Sequence, residues 1–205
     1  MHSFLLNKAI DQKSVLPCYF FYGEEVFLAQ QFLEELKDLL ISGDQQNFAV
    51  ERFDLDQQSW MDIFDTARSI SFFPTARIFV VNMVKPQEKL SKPDMTERRE
   101  KLNKTDEKII RSYFEDPTPQ TVMIFIHPKK LRSSAAIVKL FSSLPASEVI
   151  ELKPLRAPQI SSWMDRRIGL SGKSVSMEAK TRLIELAGSN LSLINNELNL
   201  SLIHI

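Results

Sequence analysis

Five short apolar runs, each closed off by turn residues, recur along the chain: Cys18 to Tyr22, Val50 to Phe53, Ile78 to Val81, Val122 to Ile126 and Val149 to Leu152. Runs this short and this continuous predict strands that are buried on both faces. Between the first three, apolar residues fall instead at helical spacing: Val26, Leu28, Phe32, Leu33, Leu36 and Leu39, then Trp60, Ile63, Phe64 and Ala67. Strand therefore alternates with helix. That alternation predicts an α/β fold, with a mostly parallel five-stranded sheet flanked by helices on both sides. An apolar fraction of 43% over 205 residues is enough to close such a core.

After the third run comes "KPQEKLSKPDMTERREKLNKTDEK", Lys85 to Lys108, a charged stretch with no apolar period and with prolines at Pro86 and Pro93. It predicts an exposed insertion that turns helical near Asp106, where Ile109, Ile110, Tyr113 and Phe114 restore the helical spacing. Beyond Leu152 the pattern changes. Pro154 and Pro158 mark a hinge, and the remainder carries helix signals only. Helices are expected from about Pro158 to Ile168, from Met177 to Ala187 behind Ser176 as N-cap, and onward from about Leu191. Two domains result: residues 1–152, built on the sheet, and residues 153–205, a small three-helix lid.

Several chemistries fail on inspection. A strand, a glycine and a helix in "YFFYGEEVFLAQQF" occupy the place of a phosphate-binding loop, but the required Gly-Lys falls on Leu28 and Ala29. Glu24 and Glu25 put negative charge where a phosphate would sit, favouring the helix dipole and repelling the ligand. The third strand ends on Asn82, where a magnesium-holding acid is expected in the comparable ATPase arrangement. "GKS" at Gly172 to Ser174 lacks its upstream glycine, since Arg167 stands there, and reads as a turn between helices. His2, His127 and His204 are scattered among loops and ends, so no metal site is expected. No nucleophile elbow is found, and no cofactor is expected.

Bulk properties narrow the partners. Lysine plus arginine equals aspartate plus glutamate at 26 each, which argues against a strong solitary DNA binder. Cys18 is the only cysteine, excludes an internal disulfide, and reads as a buried strand residue. With no export signal and no apolar stretch of membrane-spanning length, a cytoplasmic setting without membrane contact is expected.

Five stretches, taken in order, resemble the delta subunit of the bacterial DNA polymerase III clamp loader: "PCYFFYGEEVFLAQQFLEEL", "FAVERFDLDQQSW", "ARSISFFPTARIFVV", "LKPLRAPQISSWM" and "AGSNLSLINNEL". The resemblance spans nearly the whole chain. It implies an AAA+-like (RecA-like) sheet domain that has lost its phosphate loop, and a non-catalytic subunit of the polymerase III holoenzyme that binds and opens the sliding clamp without hydrolysing ATP. It also implies the beta clamp, the gamma/tau and delta prime subunits, and primed DNA as partners. Two departures stand out. The charged insertion is longer than the family usually carries, and the third helical domain that forms the family's collar has no counterpart here, so a C-terminally truncated chain is expected. The final "LSLIHI" departs from the family pattern and resembles the translation of a sequencing-library adapter, so no function is attached to His204.

The resemblance places the clamp-binding element, a small residue followed by two large apolar ones, at Ser71, Phe72 and Phe73. The residues by themselves favour a core plug between the second helix and third strand; the resemblance favours an exposed wedge. Burying two phenylalanines in a partner contributes roughly 3 to 6 kcal/mol before association costs. Lys129, Lys130 and Arg132 after the fourth strand, and Arg166 and Arg167 in the lid, are candidates for DNA phosphate contacts in the assembled loader, against the plainer reading of solvated charges. Two other classes stay open. A Rossmann-like enzyme would need a glycine-rich first turn that Gly23, Glu24 and Glu25 do not supply, and an independent DNA-binding module would show steep salt dependence on naked duplex.

Overall fold

The structure of the chain, a computed structural model, describes residues 2–3, 8–9, 14–40, 50–69, 77–84, 102–119 and 121–204. It divides into two compact units, Met1–Leu152 and Lys153–Ile205.

In the first unit, β1 (His2–Ser3) pairs antiparallel with β2 (Lys8–Ala9), a small ribbon with no sequence signal. The main sheet comprises β3 (Cys18–Gly23), β4 (Val50–Asp54), β5 (Arg77–Asn82), β6 (Thr121–His127) and β7 (Ser147–Leu152). Its strands lie in the order β4-β5-β6-β3-β7, and every neighbouring pair is parallel. Each apolar run of the sequence is thus a strand of an all-parallel sheet. The central strands β3 and β6 are buried along their whole length, as strands covered on both faces must be. His127 corrects the sequence reading: it is the last residue of β6, paired with Tyr22 and buried, and does not lie in a loop.

Helices α1 (Val26–Leu40), α2 (Trp60–Arg68), α3 (Lys104–Glu115) and α4 (Ala136–Ser142) cover the sheet. Alternate strand residues explain which helix meets which face. Phe20, Phe79, Met123 and Phe125 join Trp60, Ile63 and Phe64 of α2, Tyr113 and Phe114 of α3, and Phe141 of α4 in one cluster. Phe125 stands at its centre, with ring centroids 5.7 Å from Trp60, 6.2 Å from Phe114 and 4.8 Å from Phe141. The opposite set meets α1, whose Phe32 lies 4.8 Å from Tyr19 and 5.2 Å from Phe21. Cys18 is wholly buried, and burial pushes its thiol pKa far up, so it behaves as a small apolar side chain.

Local signals set the helix ends. Ser59 caps α2, its hydroxyl accepting from the Asp62 amide at 3.2 Å while Asp62 accepts from the Ser59 amide at 3.0 Å. The Ser59 hydroxyl, donating to Asp62 Oδ2 at 2.7 Å, and after it the Ser59 amide hold the exposed Asp62 carboxyl below the usual carboxylate range. Asn103 caps α3 through the Asp106 amide at 2.8 Å, so the helix starts two residues before Asp106. Of the charged stretch ahead of it, residues 85–101 lie outside the described residues.

The second unit contains α5 (Ala157–Leu170), α6 (Met177–Ala187) and α7 (Leu191–His204). Ser176 accepts from the Ala179 amide at 3.2 Å, as an N-cap should, and Gly188, at φ 60, closes α6 with its amide on the Ile184 carbonyl. Asn190 caps α7 through the Leu193 amide at 3.0 Å. Lys180 and Asp165 pair at 2.5 Å and tie α6 to α5. Buried side chains come from α5 (Ile160, Trp163, Met164, Ile168) and α7 (Leu191, Ile194, Leu198), whereas α6 buries none. The "GKS" turn lies between α5 and α6, and the "LSLIHI" run begins inside α7.

Candidate functional site

Open α/β sheets hold their ligands beyond the carboxyl ends of the strands, so that edge comes first. Gly23 ends β3 at φ 135, a conformation L side chains rarely adopt, and a Cβ there would collide with the Leu152 carbonyl of β7. The Glu25 amide, one that a phosphate loop would aim at its ligand, donates to that same carbonyl at 3.3 Å. The glycine therefore serves a close approach of two backbones. Glu25 is half-buried, and burial pushes its carboxyl pKa up.

The same edge is tied off elsewhere. Asn82 donates from Nδ2 to Asp54 Oδ1 at 2.9 Å, bridging the ends of β5 and β4. The Leu55 amide donates to the Asn82 carbonyl at 3.0 Å, and the Met83 amide to the Ile126 carbonyl at 3.0 Å. Nδ1 of His127 lies 3.2 Å from the Lys129 carbonyl. Among the described residues, no three His, Cys, Asp or Glu side chains lie together as a metal site would require, and no helix is long and apolar enough to cross a membrane.

At the amino edge, α2 hands the chain to β5. Ser71, Phe72 and Phe73 fall on this connection and lie outside the described residues, as does Pro74. Both of its ends are described. Ser69 follows α2, with its amide on the Asp65 and Thr66 carbonyls at 3.1 Å and its hydroxyl on Thr66 O at 2.6 Å. Arg77 opens β5 and reaches back across the gap. Its Nη1 donates to Ser69 O at 3.0 Å, and its Nη2 to Glu51 Oε1 at 2.9 Å and Thr66 O at 3.3 Å. The guanidinium also lies 4.7 Å from the Phe79 ring centroid. Next to it, the Arg68 guanidinium lies over the Tyr113 ring at 5.6 Å.

The candidate phosphate-contacting cations fall in two groups. Lys129, Lys130 and Arg132 share the β6–α4 connection, where Lys130 and Arg132 are exposed and Lys129 is half-buried. Arg166 and Arg167 belong to α5 in the other unit, both half-buried, and as consecutive helical residues they project in different directions. Sequence reasoning missed Arg77, Asp54 and the placement of His127. Only His127 had a usable signal, the apolar run leading directly into it.

Comparison with known proteins agrees with this architecture. Residues 19–153 match the family described as DNA polymerase III, delta subunit. The DNA polymerase III subunit delta of Bacillus subtilis (strain 168) is 22% identical over 194 residues, which cover 93% of this chain and 53% of that protein. The solved structure of the Bacillus subtilis DNA clamp loader delta protein superposes with a TM-score of 0.66 at 21% identity, covering 93% of this chain and 54% of that one. The chain spans about half the length of both relatives. It belongs to the DNA polymerase III delta subunit family.

Proposed function

We propose that this chain acts in DNA replication as the clamp-docking part of a clamp-loader delta subunit. The sheet unit, residues 1–152, is the AAA+-like domain that meets the sliding clamp through Ser71, Phe72 and Phe73, and residues 153–205 are its lid. The observation that carries this reading, beside family membership, is the closed carboxyl edge. There Leu152 takes the Glu25 amide and crowds Gly23, which leaves no backbone cradle for a nucleotide phosphate. Work by this subunit is then binding work, without ATP hydrolysis and without catalysis of its own.

Two adjacent aromatic rings suit a docking element, because aromatic anchors in a partner's pocket dominate contact energies. Ring opening follows only if the chain binds the open clamp more tightly than the closed one. In the full assembly, with gamma/tau and delta prime subunits in the cytoplasm, Lys129, Lys130 and Arg132 of the sheet unit, and Arg166 and Arg167 of the helical unit, are the candidates for contacts with phosphates of primed DNA.

The test is capture of a purified bacterial sliding clamp without nucleotide, by the chain and by its Phe72→Ala/Phe73→Ala variant. Capture lost by roughly a hundredfold at an unchanged thermal midpoint is the expected result. A midpoint that collapses instead makes the pair a core plug, and unchanged capture removes it from the interface.

A further inference from the structure

We propose that the β6–α4 connection, residues 128–135, presents Lys130 and Arg132 to the phosphate backbone of DNA, and that the buried ring of His127 is the positioning residue of this contact. The proposal rests on the DNA contact named above and is independent of the phenylalanine pair.

In a chain with equal numbers of acids and bases, the stretch between Asp116 and Glu148 holds no Asp or Glu, yet it carries Lys129, Lys130, Arg132 and Lys139. Charge neutrality is broken locally there. Leu131 packs against the core cluster, and the residues on either side of it, Lys130 and Arg132, are exposed. One apolar anchor thus sits between two solvent-facing cations. Two further bonds fix the connection near its ends. The Ala135 amide donates to the Arg132 carbonyl at 2.9 Å and closes a turn. At the other end the His127 side chain, in a residue only 4% exposed, brings Nδ1 within 3.2 Å of the Lys129 carbonyl and 3.4 Å of the Lys129 amide nitrogen. With its proton on Nδ1 the ring donates to the carbonyl; with it on Nε2 the ring accepts from the amide. Either tautomer ties down the backbone two residues on, as an Asx turn does. Arg166 and Arg167, the other candidate cations, are half-buried and project in different directions.

Positioning matters because a connection held in shape loses less freedom when phosphates arrive. The test follows binding of a short primed DNA, a duplex with a single-stranded overhang, across a range of salt concentrations. Lys130→Ala/Arg132→Ala, His127→Phe and His127→Asn are compared with the parent chain. Amide hydrogen exchange from Lys129 to Arg132 reads the shape of the connection without DNA, and the ring-nitrogen chemical shifts of His127 read its bond in the parent.

The expected result for Lys130→Ala/Arg132→Ala is an unchanged thermal midpoint and a slope of log affinity against log salt that is shallower by roughly two, one for each lost phosphate contact. His127→Phe keeps a ring without its nitrogens, and should bind roughly fivefold more weakly with roughly fivefold faster exchange from Lys129 to Arg132. His127→Asn, whose amide can bond the backbone two residues on, should restore both. In the parent, His127 should show one fixed tautomer. An unchanged salt slope in Lys130→Ala/Arg132→Ala overturns the phosphate contact, and a loss of clamp capture in its place assigns the connection to a protein partner. Averaged tautomers in the parent overturn the positioning role even where His127→Phe does not fold. So does parent-like binding by His127→Phe, or binding by His127→Asn as weak as that of His127→Phe. Normal capture by Phe72→Ala/Phe73→Ala together with the shallower salt slope would mean that the docking role has failed and this contact has not.

Discussion

The two edges of the parallel sheet use their polar groups in opposite ways. At the carboxyl edge, backbone and side chains close on one another: Glu25 on Leu152, Leu55 on Asn82, Met83 on Ile126, Asn82 on Asp54. At the amino edge, a half-buried arginine reaches from β5 to the end of α2, on either side of a connection whose sequence carries two phenylalanines. A fold that elsewhere presents its carboxyl edge to ligands has, among the described residues, strand ends that bond to one another there. On the docking role proposed above, the difference teaches that an α/β scaffold can be retained while its working surface moves to the other end of the strands.

Substitutions at each edge can break or sharpen this contrast. Gly23→Ala should be the most damaging to stability, because it combines a disallowed φ with a collision against the Leu152 carbonyl. About 3 kcal/mol or more should be lost in denaturant unfolding, while the protein that still folds captures the clamp normally. Weakened capture in proportion to the folded fraction fits; a specific loss of affinity would bring the carboxyl edge into the interface. Asn82→Ala should be milder. Losing the 2.9 Å bond to Asp54 should lower stability by about 1 kcal/mol and leave capture unchanged. A stability change well above that would mean that the pair supports more than the strand ends.

Much of the scaffold could be read from residue order because its causes are local. Strands buried on both faces show as unbroken apolar runs, and Ser176 announces the start of α6 by its type and place. Helix α4 escaped because Ala136–Ser142 is short and Ala135 offers no capping side chain. His127 was misplaced because the following proline and lysines look like a loop from the sequence side, while pairing with Tyr22 carries β6 one residue further. Arg77 could not be anticipated. Its partners lie 8, 11 and 26 residues away, and the side-chain partner of Asn82 28 away, separations at which no local pattern predicts a contact. The same limit applies to the phenylalanines, where residues alone favour a plug and only the family pattern favours a wedge.

Hydrogen exchange across the chain, with and without a purified sliding clamp and without nucleotide, tests the contrast between the edges most directly. Slowed exchange should appear from Thr66 to Ile78, at the end of α2 and the start of β5, and be absent at Gly23 to Val26, Leu55 to Gln58 and Asn82 to Val84. Protection at those carboxyl-edge amides, with none between Thr66 and Ile78, would contradict the account.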